Sequence, residues 1–275
     1  MLFMGQSIKE GFNGTNQMRF FSEVLTISTS MTVILPEETT SQIGLKNNRS
    51  DGKIPVLYLL HGFSDDHTIW SRRTSIERYA AEYGIAVVMP QVDHNFYSDM
   101  QYGKKYWTFI SEELPRIARS FFPLSVKRED NFVAGLSMGG YGAFKWALRK
   151  PEQFTAAASL SGVLDIATHA EKAREEQDPI NNALYQVYGE QDLHGTDQDL
   201  FTVIKELLKS EKELPQLFQA CGTEDYLWED NQIFNQFAEE NNLPLVHTFT
   251  TGTHEWGYWD EKIKEVLAWL PIKKS

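Results

Sequence analysis

Residues 135–139 read Gly-Leu-Ser-Met-Gly, a serine with a glycine two positions away on either side. A serine that is to attack a carbonyl carbon must stand clear of its own sheet. A very sharp turn from a strand into a helix does this by lifting Oγ above the strand ends. Such a turn strains the backbone and crowds the positions two before and two after the serine, so neither can carry a side chain. Gly135 and Gly139 meet that demand, and Gly140 eases the entry to the helix. With glycine near 7% of residues, the bare pattern arises by accident in roughly one chain in ten. The flanking text is more selective: NFVAGL before it reads as a strand and YGAFKWALRK after it as a helix. Ser137 is therefore the candidate nucleophile for acyl transfer.

A serine nucleophile needs a base, an acid to orient the base, and donors for the oxyanion. In folds that carry this turn the chain order is nucleophile, acid, base. Of the seven histidines, His254 is in the right place, after a strand ending in FTTG and before the last helix. His247 falls within that strand, and His169 and His194 come too early. The acid belongs on the loop after the preceding strand, where LFQACGTEDYL supplies Asp225; Asp165 and then Asp192 are the alternatives. One oxyanion donor is expected at the N–H of Met138, directly after the serine. The other is expected at the N–H of Phe63, in the loop that Leu60-His61-Gly62-Phe63 opens. His61, before a glycine, is read as shaping that loop by hydrogen bonding rather than as the base. Trp70, Tyr102, Trp107, Trp256 and Tyr258 form an aromatic set expected near the sheet edge, where they would narrow an acyl or alcohol pocket. Cys221, the sole cysteine, reads as a small buried hydrophobe.

These residues need a scaffold. The runs 56–60 (VLYLL), 85–89 (IAVVM) and 132–136 (FVAGL) are apolar at every position, as in parallel strands buried on both faces. Further strands are expected over 154–160, 214–220 and 244–250, and an early hairpin over 19–36. Helices are expected over 74–83, with Thr74 and Glu77 as a capping box; over 107–122, with its start made uncertain by Pro115; and over 141–149, 200–208, 231–240 and 261–270. The first dozen residues and 39–53 read as loops. Strand alternating with helix predicts one three-layer α/β domain, mostly parallel with an antiparallel N-terminal edge. The acidic stretch 163–198 breaks the alternation and reads as an insertion near the C-terminal edge of the sheet, placed to cover a site partly.

The chain has 275 residues, 41% of them hydrophobic, enough for a sizeable core. Its 38 acidic and 26 basic residues give a formal net charge of −12, which disfavours nucleic acid or an anionic membrane as partner. No run reaches the length of a membrane span, and the N-terminus lacks the pattern of a signal peptide. One cysteine allows no internal disulfide, so a cytoplasmic protein is expected. No metal-ligand spacing or phosphate-binding glycine loop is present, and no cofactor is expected. The expected partner is a small-molecule ester, with a homo-oligomer left open.

The text resembles the bacterial tributyrin esterase branch of the esterase D and S-formylglutathione hydrolase superfamily. The resemblance is carried by PVLYLLHGFSDDHTIW, IAVVMPQ, QYGKKYWTFISEELP, FVAGLSMGGYGAFKWAL, CGTEDYL and GTHEWGYW, over about residues 19–271. It implies an α/β-hydrolase fold, hydrolysis of short acyl esters (acetyl to butyryl, acetylated sugars among them), and a triad of Ser137, Asp225 and His254. The S-formylglutathione hydrolases differ in the first-strand loop and in a cysteine near it, which HGFSDD lacks. Acyl transfer to another acceptor, thioester hydrolysis and a non-catalytic binding module are the competing readings. Retention of all three triad residues speaks against the last.

Overall fold

The computed structural model describes residues 14–36, 52–175 and 178–273. The loops expected over 1–12 and most of 39–53 lie outside them. Eight strands form one sheet: β1 (Gly14–Ser22), β2 (Ile27–Leu35), β3 (Val56–Leu60), β4 (Ala86–Pro90), β5 (Asn131–Leu136), β6 (Ala156–Leu160), β7 (Gln216–Gly222) and β8 (Leu245–Thr250). Their spatial order is β1-β2-β4-β3-β5-β6-β7-β8. The β1–β2 hairpin and its contact with β4 are antiparallel, and every other pairing is parallel. This is the α/β-hydrolase arrangement the sequence predicts.

The apolar runs have a simple physical origin. Along β3, Val56, Tyr58 and Leu60 enter one core, while Leu57 and Leu59 enter the core on the opposite face. Because both faces are covered, an unpartnered polar side chain is costly at every position. One face is covered by α1 (Ile69–Arg73), α2 (Ile76–Tyr83) and the C-terminal helix Trp256–Trp269. The other carries α3 (Tyr106–Thr108), α4 (Leu114–Phe121), α5 (Met138–Arg149), α6 (Ile166–Lys172), α7 (Pro179–Tyr188), α8 (Leu200–Lys209) and α9 (Trp228–Glu240). The C-terminal helix is α10; it begins five residues before the expected 261.

One local expectation is corrected and two are refined. The Thr74–Glu77 capping box does not form: the N-cap of α2 is Ser75. Thr74 Oγ1 instead donates to Trp70 O (2.6 Å) at the end of α1, and Glu77 accepts from Thr15 on the edge strand (2.8 Å). The helix expected over 107–122 runs from Tyr106 to Phe121 and contains a π turn at Phe109–Glu113. Pro115 has no N–H to give the carbonyl four residues back, and that carbonyl, Ser111 O, accepts from Gln153 Nε2 (3.4 Å) instead. The acidic stretch 163–198, expected as an insertion, carries α6 and α7. Asp178 caps α7 by accepting from the N–H groups of Ile180 (2.8 Å) and Asn181 (3.0 Å), with Pro179 at the first helical position. Asp-Pro at a helix start was a readable signal.

Candidate active site

Ser137 stands between β5 and α5 with φ 52° and ψ −118°. A non-glycine residue there costs about 1–3 kcal/mol, and the flanking contacts enforce it. A Cβ on Gly135 would lie 2.2 Å from Gly139 O, and one on Gly139 would lie 2.6 Å from Leu60 O. The turn therefore closes only with glycine at both positions. The Ser137 N–H is fixed by Leu160 O of the neighbouring strand (2.9 Å).

The loops after β7 and β8 lock onto each other by backbone contact. Thr223 N–H donates to Thr250 O (2.9 Å), Glu224 N–H to Gly252 O (3.0 Å), and Gly252 N–H to Glu224 Oε2 (2.9 Å). A Cβ on Gly222 would sit 2.1 Å from Gly252 O. This clamp brings Asp225 to His254, whose Nδ1 lies 3.0 and 2.9 Å from the two carboxylate oxygens. With Nδ1 committed, Nε2 is the nitrogen left for proton transfer. Asp225 is buried and also accepts from Leu227 N–H (2.8 Å). Burial alone would raise its carboxyl pKa. The hydrogen bond and charge of His254, the Leu227 N–H and the Ser161 hydroxyl outweigh that and hold it below the ordinary carboxylate value. The alternative acids are engaged elsewhere: Asp165 caps α6 through Thr168 N–H (3.2 Å), and Asp192 accepts from His194 N–H (3.0 Å).

Two spaces meet at Ser137. An apolar cavity of about 270 Å³ is walled by Phe63, Phe96, Met138, Val163, Ile180, Leu184 and Leu227. A wider, more open groove of about 640 Å³ holds His254, with Asp65, Arg73, Glu255, Trp256 and Trp259. Phe63, Ile180 and Tyr226 border both. The stretch 163–198 thus supplies one wall of the cavity, through Val163, His169 and α7.

Met138 is the first residue of α5, so its N–H has no intrahelical acceptor. Phe63 lines the same cavity, its ring stacked on His94 (3.9 Å between centroids, 14°). His61 is buried: its Nδ1 is 2.7 Å from Gly62 O, and its Nε2 accepts from Val92 N–H (3.2 Å). Burial lowers its pKa to about 4, so the ring is neutral and shapes the loop, as expected.

The expected aromatic set is only partly at the site. Trp256 lines the groove. Trp70 is corrected: it lies buried beneath Trp256 (5.2 Å, edge-on), its Nε1–H donating to Leu60 O (3.1 Å). Tyr102 is also corrected, since it stacks on Tyr185 at the surface (6.0 Å). So is Trp107, which lies buried against Lys145 (5.2 Å) and Arg149 (4.2 Å) of α5. Tyr258 is buried in the core beneath α10. Chain distance to a motif is a poor guide to pocket lining, because large aromatics are also what a core needs. Tyr226 was missed, although it adjoins Asp225. It is 69% exposed and its ring lies 4.4 Å from that of His254. His247 is exposed on edge strand β8, beside Phe249 (4.9 Å). Cys221 is fully buried, and burial first, then Asp225, pushes its thiol up to about 12. Among the described residues no group of three or more His, Cys, Asp or Glu could hold a metal ion, and no helix is long and apolar enough to cross a membrane.

Comparison with known proteins finds serine hydrolases and esterases of the same fold. A solved substrate-bound structure of FphF, a fluorophosphonate-binding serine hydrolase of Staphylococcus aureus, superposes with a TM-score of 0.84 at 35% identity, over 94% of this chain and 99% of the other. The S-formylglutathione hydrolase FrmB of Staphylococcus aureus gives 0.80 at 34% identity, over 94% and 98%. An acetyl esterase of Caldicellulosiruptor saccharolyticus is 29% identical over 258 residues, 92% of this chain and 97% of that protein. The family model described as "Putative esterase" matches residues 30–270, and the chain belongs to this Esterase family.

Proposed function

We propose that the protein is a serine carboxylesterase that hydrolyses short acyl esters, in the manner of the tributyrin and acetyl esterases. The observation that carries the reading is the Asp225–His254 pair, set in the same groove as a strained, helix-capping Ser137. His254 Nε2 takes the proton as Ser137 Oγ attacks the ester carbonyl. The oxyanion is held by the N–H groups of Met138 and Phe63. Collapse expels the alkoxide, which takes the proton back from His254. Water, activated by the same nitrogen, then hydrolyses the acyl-enzyme. Asp225 fixes the tautomer of His254 and stabilises the imidazolium.

The two spaces then acquire roles. The leaving group departs towards its proton donor, so the groove beside His254 takes the alcohol and the apolar cavity takes the acyl chain. An open groove with Trp256, Asp65 and Glu255 suits a polar alcohol such as a sugar. Arg73 in that groove, together with the likeness to FrmB, favours a second reading, hydrolysis of thioesters with an anionic thiol portion.

The test is a panel of nitrophenyl acetate, butyrate and octanoate together with a short-acyl thioester, run with the wild type and Ser137→Ala. The reading expects cleavage of the short oxygen esters, fluorophosphonate labelling at Ser137, and loss of both in the variant. Cleavage that survives Ser137→Ala would overturn it. A thioester preference of a hundredfold or more would replace the first reading with the second.

A further inference from the structure

The acyl cavity is apolar over most of its wall but contains one titratable pair that the proposed mechanism does not use. His169, on α6, lines the cavity, and its Nε2 is 2.7 Å from Asp230 Oδ2 on α9. The pair is a second His–carboxylate couple, on the side of Ser137 away from the groove that holds His254. The imidazole is 32% exposed and the carboxylate behind it 17%, so the ring reaches open space while its partner is set back. An imidazole that donates its Nε2–H to a carboxylate keeps the neutral ring in one tautomer and leaves Nδ1 as an acceptor. The carboxylate on that wall is already engaged. Asp178 accepts from the N–H groups of Ile180 and Asn181 and from Asn181 Nδ2, so its oxygens are taken up by the start of α7.

A purely structural role would be to pin α6 of the 163–198 segment to α9. That role needs no access to the cavity. The exposure of the ring adds a cost that an ordinary acyl chain would aggravate: an alkyl group covering Nδ1 would strip it of water and give nothing back. An acyl group with a hydroxyl at that point would replace the lost water.

We propose that His169, oriented by Asp230, is a specificity-determining residue that selects short acyl groups bearing a hydroxyl over plain alkyl chains of the same length. The inference rests on Ser137 as nucleophile and on the cavity as the acyl site. The substrate hydroxyl donates to Nδ1 of His169, while Phe63, Phe96, Val163 and Leu184 contact the chain. No bond is made or broken at His169.

The experiment compares kcat/KM for matched ethyl esters: butanoate against 3-hydroxybutanoate, and hexanoate against 6-hydroxyhexanoate. Acid release is followed by pH-stat for the wild type, His169→Leu and His169→Asn. The wild type is expected to favour at least one hydroxylated ester about tenfold, the value of one well-made hydrogen bond. His169→Leu should abolish that preference while keeping or raising activity on the plain ester. His169→Asn, whose amide oxygen reaches about as far as Nδ1, should restore most of it. If His169→Leu does not fold, Asp230→Ala gives the same readout: with nothing to orient the ring, the preference falls several-fold. A wild type that favours the plain member of both pairs, or a preference unchanged by the variants, overturns the inference and leaves the esterase reading intact. Loss of the esterase reading would show separately, as activity surviving Ser137→Ala.

Discussion

His61 offers a test of how the oxyanion loop is aimed. Its Nδ1–H and the N–H of Asp65 (2.7 and 3.3 Å) both hold Gly62 O. The peptide joining Gly62 to Phe63 is planar and trans, so its N–H points opposite to its carbonyl. Holding Gly62 O in place therefore turns Phe63 N–H the other way, and Phe63 lines the cavity at Ser137; the proposed oxyanion donor depends on that orientation. Two substitutions separate the contacts of the ring. The amide nitrogen of asparagine reaches about as far as Nδ1, and the amide oxygen of glutamine about as far as Nε2. His61→Asn should keep the hold on Gly62 O and lose the bond from Val92, whereas His61→Gln should do the reverse. Losing one oxyanion donor costs about 10² to 10³ in kcat, and a misaimed donor costs part of that. The expectation is a fall in kcat of about 10- to 100-fold for His61→Gln, with KM little changed, and a few-fold effect for His61→Asn.

The same ring makes a prediction about pH. The unfolded chain protonates it near 6.5 and the folded protein only near 4. As pH falls from about 6.5 to about 4, the unfolded state binds more protons, so stability is lost; below about 4 both states are protonated and the loss stops. The full change is about 3 kcal/mol. Urea denaturation of wild type and either variant at pH 7 and pH 4 isolates it, because neither amide titrates and all other groups are shared. The wild type should lose about 3 kcal/mol more than the variant over that interval. Equal kcat losses in the two variants, or a smaller loss in His61→Gln, would refute the aiming argument. Parallel stability profiles would refute the buried neutral ring.

Three further outcomes are expected. Asp225→Asn should lower kcat by about 10³- to 10⁴-fold with little change in KM, measured on nitrophenyl acetate, because the amide presents the wrong partner to Nδ1 of His254. Gly139→Ala should destabilise by about 3 kcal/mol or prevent folding, as a Cβ there meets the carbonyl oxygens of Leu60 and His61 at 2.6 and 2.7 Å; thermal unfolding reads this directly. Leu184→Phe, which adds bulk to the acyl cavity wall, should leave acetyl ester hydrolysis within a few-fold and cut butyryl ester hydrolysis by about tenfold or more. An unchanged acyl-length profile would move the acyl chain out of this cavity.

The order of strands and helices was legible because burial on both faces leaves a mark in the chain. VLYLL and FVAGL are apolar throughout because alternate residues enter different cores. Ser137 was legible because its turn excludes every residue but glycine at two fixed positions. His254 and Asp225 followed from chain order, since each loop lies just past a strand end. The limits were also physical. The helices of 163–198 are short and lie in acidic, polar text, yet Ile180, Leu184, Val187 and Tyr188 keep a helical spacing in α7 and Asp178-Pro179 marks its start.

The sequence by itself therefore determined the sheet, the strained turn at Ser137 and the candidates for its base and acid. Each is dictated by local sterics or by burial along a single strand. Tertiary structure decided what depends on distant segments meeting. The Gly222–Gly252 contact is what brings Asp225, not Asp165, to His254. Tyr226 and α7 divide the space above Ser137, while Trp70 and Trp107 belong to packing. A side chain's type fixes what it can bond to, but which cavity it faces is set by the elements packed around it.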